Sequence, residues 1–204
     1  MGKKIIKDYT KKPILIIESD KNGCINPNPL IWYNYKKVGG YMKVVVFSDA
    51  HGNRVIVERI ISFNPDVDFF VSLGDSELPL NFLMDLDIIS IKGNYPRDAG
   101  FTYESILEVG NKKLLLVHGH KFKVQKSLMK LLRHAIDLDV DIALYGHTHV
   151  AKVDKVDKLL LFNPGSIKNP RSKVVPSYLI LEITDESVEY TFKEAETNIT
   201  IEDI

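Results

Sequence analysis

The sequence predicts an α/β fold with parallel strands, and two observations carry that prediction. From Met42 onward, short apolar runs alternate with helical patterns, the order that produces parallel strands joined by right-handed crossovers. The runs are β-branched and unbroken by polar residues, as in strands buried on both faces. The 204 residues are 45% hydrophobic and 26% charged, which suits a folded globular chain and argues against disorder or a fibrous repeat.

The elements follow in order. Lys43–Phe47 reads as the first buried strand. Val55, Ile56, Arg59, Ile60 and Phe63 keep helical spacing, with Asn53 as N-cap. Asp68–Leu73 is the next strand, Pro79–Met84 a short helix and Asp87–Ile91 a third strand. Ile106–Val109 and Lys113–Val117 flank Gly110-Asn111, the signature of a hairpin. Val124, Leu128, Leu131, Leu132, Ala135 and Ile136 form one helical stripe. Asp141–Tyr145 is another buried strand. The remainder reads as all-β: Ala151–Val156, Leu159–Phe162, Tyr178–Ile183 and Val188–Phe192. Residues 194–204 lack a pattern and are expected to form a mobile tail.

Residues 1–41 differ in character from 42–204. They hold eight lysines against three acids, whereas residues 42–204 hold 19 basic and 24 acidic side chains. Their one strand-like piece is Ile14–Ile17, followed by loop punctuation from Asp20 to Pro29. We divide the chain into an N-terminal extension, 1–41, and a domain, 42–204. One expectation is an arm that adds a strand to a sheet edge. The other is a translated leader, with the biological start at Met42. Lys36-Lys37-Val38-Gly39-Gly40 can be encoded by purine-rich codons resembling a bacterial ribosome-binding site.

Charge and composition narrow the partners. The 27 basic and 27 acidic residues cancel, and there is no long basic or aromatic tract, so a nucleic-acid partner is not expected. The single cysteine, Cys24, excludes an internal disulfide framework and a cysteine-based zinc site. No apolar run nears the ~20 residues that span a bilayer, and no signal-peptide pattern is read, so the expectation is a cytoplasmic protein without a membrane partner. A homo-oligomer is compatible with the sequence but not specified by it.

The chemistry-bearing residues cluster where the predicted strands end. Val46-Phe47-Ser48 runs into Asp49-Ala50-His51-Gly52, Leu73 into Gly74-Asp75, and Lys92 into Gly93-Asn94. Val117 runs into His118-Gly119-His120, and Tyr145 into Gly146-His147-Thr148-His149. Each motif alone reads as a turn or cap. All five in order, each at a strand end, deliver carboxylate, amide and imidazole groups to one rim, where open α/β sheets bind ligands. Mixed N/O donors without thiolate suit zinc, manganese, iron, cobalt or nickel. Four of the six histidines stand at the rim. His134 lies in the helical stripe and reads as an ordinary surface or partly buried residue.

As a set, these motifs resemble the signature of the calcineurin-like metallophosphoesterases: Asp-x-His, Gly-Asp, Gly-Asn, His and Gly-His-x-His. The size of the domain and Asn163-Pro164-Gly165-Ser166 with Pro170-Arg171 resemble the small bacterial and archaeal phosphodiesterase branch often called YfcE-like. The resemblance covers residues 42 to about 192. It implies a four-layer α/β/β/α sandwich with two mixed β-sheets and a dinuclear site at the strand C-terminal edge. It assigns Asp49, His51, Asp75 and His149 to one divalent ion, and Asp75, Asn94, His118 and His147 to the other. Asp75 would bridge them. Manganese is the first expectation, with nickel, iron, cobalt or zinc as alternatives. Two divalent ions and two aspartates leave a charge of about +2 to attract phosphate. The reaction implied is in-line attack of a metal-bridging hydroxide on the phosphorus of a small phosphoester.

One departure matters. Many members of the superfamily carry a histidine after the Gly-Asn, as proton donor to the leaving group. Here Tyr95-Pro96-Arg97-Asp98 follows Gly93-Asn94. His120 is the nearest alternative donor, so the catalytic candidates are Asp75, Asn94 and His120. Arg97 and Arg171 are candidate phosphate contacts, and Asn163 and Ser166 are expected to shape the rim. Phosphomonoesterase activity is one alternative to a phosphodiesterase. A protein-interaction scaffold, like the retromer subunit of this fold, is another. Retention of all seven donor side chains favours an enzyme.

Overall fold

The computed structural model describes residues 31–35, 41–96, 100–171 and 175–204. Strands β1 (Ile31–Tyr35), β2 (Met42–Phe47), β3 (Phe69–Ser72), β4 (Ile88–Ser90), β5 (Glu104–Val109) and β6 (Lys112–Val117) are followed by β7 (Ile142–Tyr145), β8 (Ala151–Val156), β9 (Leu159–Pro164), β10 (Ser177–Ile183) and β11 (Val188–Glu194). The helices are α1 (Arg54–Phe63), α2 (Leu80–Asp85) and α3 (Met129–Asp137).

The strands form two mixed sheets, one ordered β1-β5-β6-β7-β9-β8 and the other β11-β10-β2-β3-β4. Strands β2, β3 and β4 are parallel, as the β-α-β order requires, with Val46 opposite Val71 and Val71 opposite Ile89. The alternation of side chains along each strand builds the layers. Val44 and Val46 face Leu114, Leu116 and Leu144 in the core between the sheets. Val45 and Phe47 point the other way, onto Ile56, Val57 and Ile60 of α1 and Phe82 and Leu83 of α2. Leu115 and Val117 turn outward onto Leu131 and Ala135 of α3. The central strands β2, β3, β6 and β7 are therefore covered on both faces, which explains why their sequences are almost continuously apolar. The result is the four-layer α/β/β/α sandwich.

Local chemistry sets the boundaries. Asn53 caps α1, its Oδ1 accepting from the Ile56 N–H at 3.3 Å. Gly110-Asn111 turns the β5–β6 hairpin. The stripe that begins at Val124 does not start a helix there. Lys123 takes a left-handed φ of 56°, which ends a short 3-10 turn over His120–Phe122, and α3 starts only at Met129. Val124 is still buried on the α3 face of the sheet, so its apolarity reflects burial and not helical phase.

The C-terminal residues are also ordered, against expectation. Ala195 is fully buried, and Thr200 bridges Lys193. The buried ring of Tyr178 supplies the reason. Its hydroxyl donates to Asn198 Oδ1 at 2.6 Å and accepts from Asn64 Nδ2 at 3.2 Å. A buried hydroxyl needs such partners, and the segment that provides one is drawn onto the sheet.

The strand-like Ile14–Ile17 lies outside the described residues. Within the first 41 residues, Ile31–Tyr35 pairs parallel with β5, Ile31 opposite Ser105 and Tyr35 opposite Val109. A chain that begins at Met42 is expected to fold, because β2–β11 and all seven rim donors remain. It should be more prone to associate, since β5 then becomes an exposed edge. Circular dichroism, metal content and light scattering on the shortened and full chains check this. A shortened chain that is insoluble or unable to bind metal would show that residues 1–41 complete the core.

Candidate metal centre

The parallel strands of both sheets end at the same rim, and the loops that leave them reverse sharply. Asp49, His51, Asp75, His147 and His149 all adopt left-handed φ values, between 43° and 69°. Such conformations cost about 1–3 kcal/mol each in non-glycine residues and concentrate at functional sites. Here they turn each side chain back over the strand ends. Two glycines keep the space open. A Cβ on Gly93 would overlap Asp75, and one on Gly146 would overlap Ser48 Oγ and come within 3.0 Å of Asp49 Oδ2.

The donors gather in two clusters, Asp49–His51–His149 and Asp49–Asp75–His118. In the first, Asp49 Oδ1 lies 3.1 Å from His149 Nε2 and 3.9 Å from His51 Nε2, and the two Nε2 atoms are 3.4 Å apart. In the second, His118 Nε2 is 3.4 Å from Asp75 Oδ2 and 4.0 Å from Asp49 Oδ1. Asn94 Oδ1 approaches His118 Nε2 at 3.1 Å. The His147 ring stands edge-on to His118, with centroids 5.1 Å apart. All seven donors expected from the sequence thus meet at one place. His120 is beside them, its ring centroid 5.5 Å from that of His118 and 6.1 Å from that of His147.

The outer partners orient these groups. His118 Nδ1 donates to the Leu73 carbonyl and His149 Nδ1 to the Asn169 carbonyl, both at 2.7 Å. A carbonyl can only accept, so in the neutral rings both Nε2 atoms present lone pairs to the centre. His51 Nδ1 is 2.6 Å from Glu77 Oε1. Each aspartate has one oxygen engaged and one available. Asp49 Oδ2 accepts from Ser48 Oγ at 2.6 Å and His147 N at 3.1 Å, and Asp75 Oδ1 accepts from Tyr95 N at 2.8 Å. Asp49 Oδ1 is buried without a hydrogen-bond partner. Buried acceptors facing one another repel unless a cation lies among them, and nitrogen and oxygen lone pairs at this spacing suit a divalent metal.

Several of these contacts were not legible in the sequence. The Leu73 and Asn169 carbonyls carry no side-chain signal. Glu77 could have been suspected from its place two residues after Asp75, on the same loop. Asn163 and Ser166 shape the rim: Asn163 Nδ2 donates to Gly146 O at 3.0 Å, and Ser166 Oγ donates to Asp49 O at 2.9 Å. Arg97 lies outside the described residues.

The electrostatics follow from this packing. Burial pushes the Asp49 carboxyl up, but the close approach of His149 Nε2 at 3.1 Å, the charges that His118 and His149 carry when protonated and the Ser48 hydroxyl together hold it below its ordinary value. Burial likewise opposes ionisation of Asp75, yet His118 and the Tyr95 N–H bring it down to about 2. Burial disfavours charge on His118, and Asp75 and Asp49 outweigh it, so its pKa is raised. The Asp49 carboxylate 3.1 Å from Nε2 raises His149 against a smaller burial effect. Burial and then the charge of His118 lower His147. Burial, with His118 and His147, lowers His120 to about 4.

Residues 42–186 match the family model for the calcineurin-like phosphoesterase superfamily domain. The chain belongs to that superfamily. Among curated relatives it is 31% identical over 164 residues to the probable metallophosphoesterase YsnB of Bacillus subtilis, covering 80% of this chain and 96% of that one. A crystal structure of an uncharacterised protein from Streptococcus pneumoniae, titled a predicted phosphoesterase, is 32% identical, with a TM-score of 0.73 over 79% of this chain and 94% of that one. An archaeal protein described as a phosphodiesterase shares the fold at 22% identity, with a TM-score of 0.59 over 78% and 100% of the two chains. Membership identifies a phosphoesterase class that uses divalent metal, and the donor clusters fit that use.

Metal binding should rise with pH. His118 and His149 retain protons above their ordinary value of about 6.5, and each must release one to ligate. In metal-free protein, the raised histidines stabilise the fold below about pH 6.5 and lose that contribution as pH rises through their folded values. Asp75 stabilises above about pH 3.9 and loses its contribution as pH falls toward 2. The increase in Tm produced by manganese should therefore grow between about pH 5 and pH 8. A Tm increase independent of pH would mean that the histidines do not ligate.

Proposed function

We propose that this chain is a dinuclear-metal phosphodiesterase acting on a small phosphoester in the cytoplasm. The observation that carries the reading is that Asp49, His51, Asp75, His118 and His149 form two donor clusters sharing the buried Asp49, with Asn94 and His147 beside His118. In this reading Asp49, His51, Asp75 and His149 hold one ion, and Asp75, Asn94, His118 and His147 the other. Manganese is the first choice and nickel, iron, cobalt or zinc the alternatives. Divalent ions supply Lewis acidity toward phosphate oxygens and lower the pKa of water.

The chain's own residues do the positioning. Leu73 O and Asn169 O fix the imidazole tautomers, and Ser48 and Tyr95 N hold the carboxylates. Arg171 is near enough for its charge to act on His147 and His149, so it is placed to attract the anionic oxygens of a phosphoester. The net acidic character of residues 42–204 disfavours a nucleic-acid substrate. The likeness to an archaeal phosphodiesterase, together with the absence of a histidine after Asn94, supports diesters over monoesters.

Asp75→Asn should lower metal content and nearly abolish hydrolysis, read by elemental analysis and by turnover of a diester. Wild-type protein that binds no metal would end this reading. Tyr95, not histidine, follows Asn94, so protonation of the leaving group should be weak. General acid catalysis contributes ~10²–10⁴-fold when a donor is well placed. Rates across a series of diesters should therefore fall steeply as the leaving-group pKa rises, with aryl esters far ahead of alkyl ones. A shallow slope that steepens in His120→Ala would identify His120 as the donor. A slope shallow in both proteins would point to another acid.

A further inference from the structure

A second concavity, of about 220 Å³, adjoins the donor cluster. His118 belongs to the walls of both. The concavity lies between the hairpin strands β5 and β6, the 3-10 turn and α3, and the hydrolytic reading uses only its His118 and His120. Its lining is unusual for a packing gap. Rings dominate it: Tyr103 and His120 stand 5.8 Å apart at 52°, and Phe122 and His134 stand 5.0 Å apart at 36°. Tyr103, His120, Phe122 and His134 are all partly exposed, so the space opens to solvent and is not a void sealed in the core.

The polar groups are as specific as the rings. His134 Nε2 lies 2.7 Å from Glu104 Oε2, which fixes the carboxylate against the pocket and leaves it capacity to accept another hydrogen bond. His120 Nδ1 is buried without a hydrogen-bond partner. Lys121 Nζ lies 3.0 Å from the centre of the Tyr103 ring and holds that ring in place at the rim. A half-open pocket walled by rings, with one anchored carboxylate, suits a planar ring that carries a hydrogen-bond donor. The volume is below the ~300–1,000 Å³ of pockets that take drug-sized ligands, so it admits one ring system and not a dinucleotide.

We propose that this pocket is the subsite for the organic group of the substrate, which is a phosphoester bearing a single planar aromatic or heteroaromatic ring with a donor directed at Glu104. The proposal rests on the phosphoesterase reading for its phosphate end. The ring would lie against Tyr103 and Phe122 while the phosphate reaches the donor cluster past His118. A nucleobase and a simple aryl group share this chemistry.

Binding of phosphonates tests the pocket without requiring turnover, since their C–P bond is not hydrolysed. With manganese-loaded full chain, calorimetry should show phenylphosphonate binding about tenfold or more tighter than methylphosphonate, the range expected of ring stacking. In Tyr103→Ala and Phe122→Ala the preference should fall below about threefold, while methylphosphonate affinity stays unchanged. Phe122→Leu, which keeps bulk without the ring, should behave like Phe122→Ala. 4-Aminophenylphosphonate should bind tighter than 4-methylphenylphosphonate, and Glu104→Gln should narrow that difference. A nucleoside phosphonate binding tighter than phenylphosphonate assigns a nucleobase, and weaker binding assigns a simple aryl group. Equal affinity of wild type for phenyl- and methylphosphonate overturns the subsite, as does a preference unchanged in both alanine variants. Diester hydrolysis without ring preference would sink the subsite and spare the enzyme. Ring preference without hydrolysis would do the reverse.

Discussion

The buried carboxylate of Asp49 is the constraint on which the rim depends. One of its oxygens is tied to Ser48 and the His147 N–H, and the other faces imidazole nitrogens with no hydrogen bond of its own. A charge placed there is costly unless a cation compensates it. The surrounding structure makes the arrangement unavoidable. Carbonyls from Leu73 and Asn169 claim the Nδ1 atoms, glycines 93 and 146 leave room, and five left-handed residues aim the side chains inward. Once His118 and His149 lose their extra protons, folding thus leaves a group of acceptors that cannot satisfy one another.

The rigidity of the two sheets makes this assembly affordable. Five strand ends from both sheets converge, and each strand is fixed on both faces by apolar packing. Strained loops persist only where their surroundings over-determine them. The continuous Val, Ile and Leu runs are therefore part of the site's construction, because they supply the anchor against which the loops are bent.

That division explains what could be read in advance. The strands were legible because burial on both faces writes itself into sequence as unbroken apolar runs, as in Lys43–Phe47 and Lys113–Val117. The donors were legible because Asp49, Asp75, His118 and His149 occur directly after such runs. Braces made from backbone were not: Leu73 O and Asn169 O are invisible in side-chain identity. The start of α3 was misplaced because Val124 is apolar for burial against β6 while Lys123 breaks the helix. The ordered C-terminal residues escaped notice because a buried Tyr178 hydroxyl recruits Asn198 across 20 positions, and no local periodicity records such a bond.

The place of β10 has a consequence for how the chain is made. It lies between β11 and β2, with Leu179 opposite Val46, so one long edge of the first strand of the domain is completed by residues more than a hundred positions later. During synthesis at about 5–20 residues per second, β2, β3 and β4 leave the ribosome many seconds before that partner. Until it arrives, β2 presents an open ladder and a half-covered apolar face, the kind of surface that chaperones bind and neighbouring nascent chains invade. The same late strand leads from the loop that braces Asp49 through Ser166. The centre therefore cannot be assembled early, and a nascent chain has no complete nest for an ion until the Ser166 loop and β10 have been released.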